Sequence, residues 1–441
     1  MPEGPKKELT LFDSTCLIVG IIIGAGVYQM APDIAKGVSG VGGLLALWIM
    51  GGLLSLCGAL GYAELATAYP QEGGDYVYLS RAYGPWAGFL FGWIQLAVVR
   101  PGDIAVMAFA FATYARAIHD PFHAMSATHS QEIFAVAAVL IMTILNVLGV
   151  RQGKWAQNLL TTIKAAGLLA IVGVAIATPA ATPSAVAVEP LPPSLALIFV
   201  LFVFGGWNEM AYVAAEVKDS NRNIVRALVL GTGAVTVLYL LVNGAFLGTL
   251  GFAGMAHSKA VATDTVARLF PSAGGQMISA LISLSALGAV NGLIFTGARI
   301  SYAVGADHRA FRALGRWHPR TGTPVAALLV QAVIAVGLIL VFGSFVNTIL
   351  YTAPAVYTFY LASSLAVVVL RAKEPGVVRP YRVTGYPFTT LVFCAVCGFL
   401  IYSSVAYKPW IAAAALVICL LGLPIYWASS RGIRSPASGS P

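Results

Sequence analysis

The sequence predicts an all-α integral membrane protein with twelve transmembrane helices, and three observations carry that prediction. Of its 441 residues, 59% are hydrophobic and only 10% are charged, against about 25% charged in soluble proteins. The mean hydropathy is +0.83. Apolar runs of roughly the 20 residues that a bilayer span requires recur along the whole chain. Two of these runs are broken by glycine where a membrane helix would be continuous. One is Ile21-Ile22-Ile23-Gly24-Ala25-Gly26-Val27, and the other is Phe202-Val203-Phe204-Gly205-Gly206-Trp207-Asn208.

In chain order, the expected spans are 14–35, 41–63, 84–117, 132–150, 157–179, 195–216, 225–250, 276–303, 323–342, 346–371, 386–406 and 409–428. The third contains Pro101, which lacks an amide proton, so a kink or tilt is expected there. The glycine breaks fall near the starts of two successive blocks, the pattern of carriers built from inverted repeats. The expected organisation is therefore a cytoplasmic tail at 1–13, a first repeat at 14–182 and a second, inverted repeat at 194–371. Accessory spans at 386–428 and a cytoplasmic tail at 429–441 complete it.

The net charge of +9 reads as topology, not as nucleic-acid binding. Lys and Arg concentrate in the even-numbered loops and the tails, which places those loops and both termini in the cytoplasm. The basic loop from Asp307 to Arg320 is internal on this reading. The proline-rich segment Pro179–Pro193, which has no basic residue, is external. No cleavable leader is expected, because the first apolar run continues into a second span. The cysteines Cys16, Cys57, Cys394, Cys397 and Cys419 lie in or beside apolar segments and read as small hydrophobes. Histidines do not cluster as metal ligands, so neither a metal nor a cofactor is expected.

A broken helix in lipid exposes N–H and C=O groups, which is tolerated only against protein or a water-filled cavity. Gly24 and Gly26 let the backbone leave helical geometry at little cost. The freed amides at Gly24, Ala25 and Gly26 can hold a carboxylate at the start of the outer half-helix. Gly205-Gly206 frees carbonyls at Phe202, Val203 and Gly205, which can accept from an ammonium group. Close packing of small residues is the competing reading of each glycine pair alone; the correspondence of two breaks favours a binding site. Phe202 and Trp207 are candidate gates, and Phe204 is expected to face lipid.

Ionisable residues within spans are functional candidates. Lys164 lies inside the fifth span. It either snorkels to the interface or serves coupling, by replacing a sodium ion and bracing the first span against the eighth, or by exchanging a proton. Arg100 and Asp103 share a helix face and are expected to pair. Glu209, at the start of the inner half-helix, can stabilise that helix, carry a proton or answer a basic substrate. The charges at Glu216, Lys218, Asp219, Arg222 and Arg226, and those from Arg299 to Arg320, read equally as inner-gate ion pairs or solvated loops.

Several stretches together resemble one family. They are Gly205-Gly206-Trp207-Asn208, Tyr212-Val213-Ala214-Ala215-Glu216-Val217-Lys218, Arg222-Asn223-Ile224 and Gly288-Ala289-Val290-Asn291-Gly292, with Arg299. Further matches are His318-Pro319-Arg320, Thr323-Pro324, Arg379-Pro380-Tyr381-Arg382, Gly385-Tyr386-Pro387 and Gly422-Leu423-Pro424. The chain resembles L-type amino acid transporters and their bacterial relatives in the amino acid–polyamine–organocation superfamily, from about residue 10 to residue 428. The resemblance implies a fold like that of the bacterial leucine transporter, and alternating access. It places the substrate carboxylate at the amides of Ala25 and Gly26, and the α-amine at the carbonyls of Ile22, Phe202 and Gly205. It makes Phe202 the aromatic gate, Asn208 a polar pocket residue, and Lys164 the lysine that replaces sodium.

Two departures matter. Ala25 stands where many relatives carry serine, and Glu209 where animal members carry an aromatic residue. The loop from about Ala117 to Gln131 lacks the cysteine that links a glycoprotein heavy chain, so no covalent subunit is expected. The resulting expectation is a sodium-independent permease of neutral L-amino acids in a bacterial inner membrane, working by exchange or with protons. Its partners are an amino acid substrate and the lipid bilayer, and not nucleic acid. A cationic amino acid or polyamine carrier of the same fold is one alternative. A membrane sensor that binds without transport is another. No enzyme is expected, since no nucleophile–base pair or metal cluster is apparent at depth.

Overall fold

A computed structural model describes residues 7–71, 73–122, 124–178, 189–342, 345–407 and 409–430. Residues 1–6 and 431–441 of the expected tails, and 179–188 of the expected external loop, lie outside the described residues. In chain order, the α-helices are α1 (Leu11–Ile22), α2 (Gly26–Gln29), α3 (Ala31–Lys36), α4 (Val41–Ala68), α5 (Asp75–Tyr83), α6 (Pro85–Ile94), α7 (Arg100–Ile118), α8 (Ala127–Leu148), α9 (Val150–Ala177), α10 (Pro193–Val203), α11 (Ser220–His257), α12 (Val261–Ala267), α13 (Gly274–Asp307), α14 (Val325–Phe342), α15 (Phe345–Lys373), α16 (Phe388–Tyr407) and α17 (Pro409–Ser430). A π-helical turn, Gln95–Val99, joins α6 to α7, and a 3-10 helix, Trp207–Glu216, follows α10. Among the described residues, ten helical stretches are long and apolar enough to cross a membrane; Val325–Val341 and Leu416–Ser429 are shorter apolar helices. Large apolar side chains such as Leu53, Ile144, Val237 and Leu340 stand exposed on the outside, a surface suited to lipid rather than water.

The first span begins with a capping box. The Thr10 hydroxyl accepts from the Asp13 amide at 3.2 Å, and the Asp13 carboxylate accepts from the Thr10 amide at 2.9 Å. These bonds satisfy donors that a helix start otherwise leaves orphaned. Just before it, the amides of Glu8 and Leu9 donate to the Glu216 carbonyl at 2.9 Å, and the Lys218 amide donates to Leu9 at 2.9 Å. The start of the first broken span is thereby tied to the end of the second.

The predicted distortion at Pro101 takes the form of the π-helical turn. Proline cannot donate, and its ring crowds the carbonyl four residues back. Widening the preceding turn relieves that conflict. It also brings Gln95, Val99 and Arg100 onto the same interior cavity.

The two broken spans occupy the middle of the bundle. The α1 helix packs on α9, α11, α13 and the 3-10 helix, while α7 and α13 make the most extensive helix pair beside it. Phe204, expected to face lipid, is instead fully buried against Trp48 and Tyr239, with ring centroids 6.0 and 5.2 Å away. Its amide still bonds the Val200 carbonyl at 3.0 Å, so its ring continues the Val200 face of α10 onto α4 and α11.

Candidate functional site

Both predicted breaks are present. The α1 helix ends at Ile22, and helical backbone resumes at Gly26. The amides of Ala25 and Gly26 begin the second half-helix and donate to no backbone carbonyl of a described residue. The α10 helix ends at Val203, and Gly206 adopts φ +110° before the 3-10 helix starts. That conformation is costly for any residue with a Cβ. A Cβ at Gly206 would also lie 2.6 Å from Cγ2 of Ile21. Gly206→Ala is therefore expected to destabilise the fold by about 1–3 kcal/mol and to depress transport. A thermal unfolding series in detergent checks the first effect, and uptake into proteoliposomes the second.

Between the breaks lies a cavity of about 120 Å³. Ile22, Gly24, Gly26, Phe202, Val203, Gly205 and Asn208 line it, as does Glu209. Ala25 and Trp207 are absent from the lining. Ala25 is buried behind it. Trp207, expected as a gate, packs edge-on against Tyr62 and Phe393 and tilted on Tyr360. The tight 3-10 geometry after Gly206 turns its indole away from the cavity, whereas Phe202 stays on the wall, half-buried.

Lys164 does not snorkel. It is fully buried. Its ammonium donates to the carbonyls of Gly20 at 2.6 Å, Ile23 at 2.7 Å and Ser285 at 2.9 Å. The Ser285 hydroxyl adds bonds to the Ile23 and Gly24 carbonyls, both at 3.1 Å. One ammonium thus joins α9, the broken end of α1 and α13. Gly288 leaves room for it, since a Cβ there would lie 2.7 Å from Nζ.

Arg100 and Asp103 do not form the expected pair. Arg100 instead donates to Oε1 of Glu209 at 2.8 Å, with both side chains at least nine-tenths buried. The π-helical turn aims the guanidinium across the cavity, so the cross-span carboxylate outcompetes the one on its own helix. A second buried pair lies at the far end of the 3-10 helix. Arg299 donates to Glu216 at 2.7 and 3.2 Å and lies over the Phe295 ring at 3.8 Å. Of the two equal readings of those charge clusters, the ion pair holds for Glu216 and Arg299.

Three features were missed by the sequence reading. The Tyr239 hydroxyl donates to the Ile22 carbonyl at 2.8 Å and to the Val203 carbonyl at 3.3 Å, clasping one break to the other. Gln95 lines the cavity with its Oε1 unpartnered. Asp75, in the loop helix α5, is buried and accepts from the hydroxyls of Tyr62, Ser363 and Tyr212, the last at 2.7 Å. Burial pushes its carboxyl up to about 6, against the pull of the three hydroxyls. Tyr212 also accepts from Asn208 at 2.8 Å, and Tyr360 donates to Asn208 at 2.9 Å, so Asp75 connects to the cavity floor. An isolated tyrosine or glutamine in an apolar run carries no spacing signal. The charge of Asp75, next to Gly73-Gly74, was the one cue available.

The chain matches the amino acid permease family over residues 9–430. It is 29% identical over 441 residues to the serine/threonine exchanger SteT of Bacillus subtilis, covering 97% of this chain and 98% of that protein. It is 30% identical over 436 residues to the human large neutral amino acids transporter small subunit 2, covering 96% of this chain and 80% of the relative. The b(0,+)-type amino acid transporter 1 of Mus musculus is 29% identical over 434 residues, covering 96% of this chain and 88% of its own length.

Proposed function

The chain belongs to the amino acid permease family, and on that premise we propose that it is a sodium-independent carrier of neutral L-amino acids. It works by alternating access, as an exchanger or a proton symporter. The family fits a LeuT-like architecture, and residues 14–182 and 194–371 read as its two inverted repeats. The bacterial relative, matched along nearly its full length, favours a bacterial inner-membrane permease with cytoplasmic termini and no covalent heavy chain.

The observation that carries the reading is the pair of opposed helix breaks on one cavity. Free amides at Ala25 and Gly26 suit a carboxylate, and the carbonyl ends at Ile22, Phe202 and Gly205 suit an α-ammonium. Each carbonyl has two lone pairs, so those already engaged can still accept. The cavity is slightly smaller than the ~150 Å³ apolar cavity that holds benzene, which favours a short or medium side chain. Sodium independence follows from Lys164. Its ammonium supplies, between α1 and α13, the single positive charge that a sodium ion would otherwise provide.

The test is uptake of labelled serine, leucine, lysine and putrescine into proteoliposomes, with and without internal substrate, sodium and a pH gradient. Strict dependence on sodium, or no amino acid uptake, overturns the proposal. Glu209→Gln tests the polyamine and cationic alternative in its simplest form. Glu209 already answers Arg100, so the variant strands a buried guanidinium, at a cost of roughly 3–5 kcal/mol. All substrates are then expected to slow by at least ~10-fold together. Selective loss of lysine and putrescine would instead make Glu209 their counter-charge.

A further inference from the structure

The transport reading leaves one charge on the cavity wall unexplained. Around the cavity and beneath it, Lys164, Arg100 and Arg299 stand against Asp75, Asp103, Glu209 and Glu216. Glu209 and Glu216 are each matched by an arginine. Asp75 lies off the cavity and is satisfied by three hydroxyls. Asp103 lines the cavity, and no hydrogen bond reaches it from a described residue.

The surroundings of Asp103 are one-sided. On its own helix, Arg100 is one turn away and engaged by Glu209. The 3-10 helix presents Glu209 and Tyr212, α15 presents Tyr357 and Tyr360, and α13 presents only Ala289 and Leu293. Oε2 of Glu209 and Oε1 of Gln95 are further unpartnered acceptors on the same wall, both on side chains more than nine-tenths buried, and Nε of Arg100 is the unpartnered donor. The wall therefore bears an unbalanced negative charge and an excess of acceptors. A carboxylate on a largely enclosed wall without a partner is unfavourable, and the system relieves this by taking up a cation or a proton.

Building on the transport reading, we propose that Asp103 receives one positive charge with each bound substrate, carried either by a proton or by a cationic substrate side chain. The α-ammonium is held at the helix breaks, so this charge is additional to it. In either form, an N–H or O–H donor comes to lie among the acceptors of Asp103, Glu209 and Gln95. The charge then leaves with the substrate when the opposite gate opens.

The experiment compares wild type, Asp103→Asn and Asp103→Glu at equal reconstituted amounts. Uptake of labelled serine, leucine and lysine is measured at acidic and neutral external pH under a clamped membrane potential. If a proton supplies the charge, external acid speeds wild-type serine or leucine uptake severalfold, and Asp103→Asn loses that response. If the substrate supplies it, wild type carries lysine, and Asp103→Asn lowers lysine uptake at least ~10-fold more than it lowers leucine uptake. In both cases Asp103→Glu restores the behaviour, which separates lost charge from misfolding. Asp103→Asn with the wild-type pH response and the wild-type lysine rate overturns the proposal. Thermal stabilisation of the detergent-purified proteins by serine and lysine across pH gives a readout without transport. There, a pH dependence common to wild type and Asp103→Asn counts against Asp103. Absence of uptake by wild type counts against the transport reading and leaves the binding comparison to decide Asp103.

Discussion

Lys164→Ala is expected to lower initial uptake by ~100-fold or more. The variant deletes three charge-assisted hydrogen bonds at 2.6 to 2.9 Å, each worth about 1.5–3 kcal/mol. It takes the charged donor away from the buried carbonyls of Gly20 and Ser285 and leaves Ile23 with the Ser285 hydroxyl. The break in α1 then loses its anchor to α13, and the second half-helix no longer holds its amides at a fixed place. Partial substrate binding is expected to survive, because Tyr239 still joins the Ile22 and Val203 carbonyls. Initial rates in proteoliposomes, set beside equilibrium binding in detergent, separate the two effects. A variant with wild-type rates and an unchanged pH dependence would show that the lysine is only a packing device.

The second large effect concerns stability. Arg299 is fully buried, and Glu216 is its carboxylate partner. Removing that partner alone leaves an uncompensated interior charge, at a cost of about 3–5 kcal/mol. Glu216→Ala is therefore expected to lower the Tm markedly and to reduce the yield of monodisperse protein. Truncating both residues removes the stranded charge as well as the pair. The double variant Glu216→Ala with Arg299→Ala is expected to be more stable than Glu216→Ala alone, a sign of coupling that independent sites do not give. Additive losses would mean that the two side chains contribute separately. Because Glu216 closes the 3-10 helix and Arg299 lies on α13, the pair also fastens the second broken span to its neighbour.

What the sequence determined by itself was the class of solution. Long apolar runs leave helices as the way to satisfy the backbone in lipid, and glycine at 24, 26, 205 and 206 marked where two of them stop. Lys164 was legible for the same reason, since a charge deep in an apolar run has few uses. These are local facts, fixed by composition and spacing along one segment.

Tertiary structure decided which groups meet. Arg100 and Asp103 share a helix face, yet the π-helical turn before Pro101 sends the guanidinium across to Glu209 and leaves Asp103 facing the cavity. Trp207 and Phe204 are both aromatics beside a glycine pair, but Phe204 continues the buried face of α10, while the positive φ of Gly206 and the 3-10 helix behind it carry Trp207 into a separate packing contact away from the cavity. Tyr239 and Asp75 each take a partner more than 100 residues away in the chain, Ile22 and Tyr212. Hydrogen bonds and ion pairs reach only a few ångströms, so their pairing depends on how separate helices are brought together. Hydrophobicity and glycine flexibility act within a segment, which is why the spans and their breaks could be read from the sequence and the charge network could not.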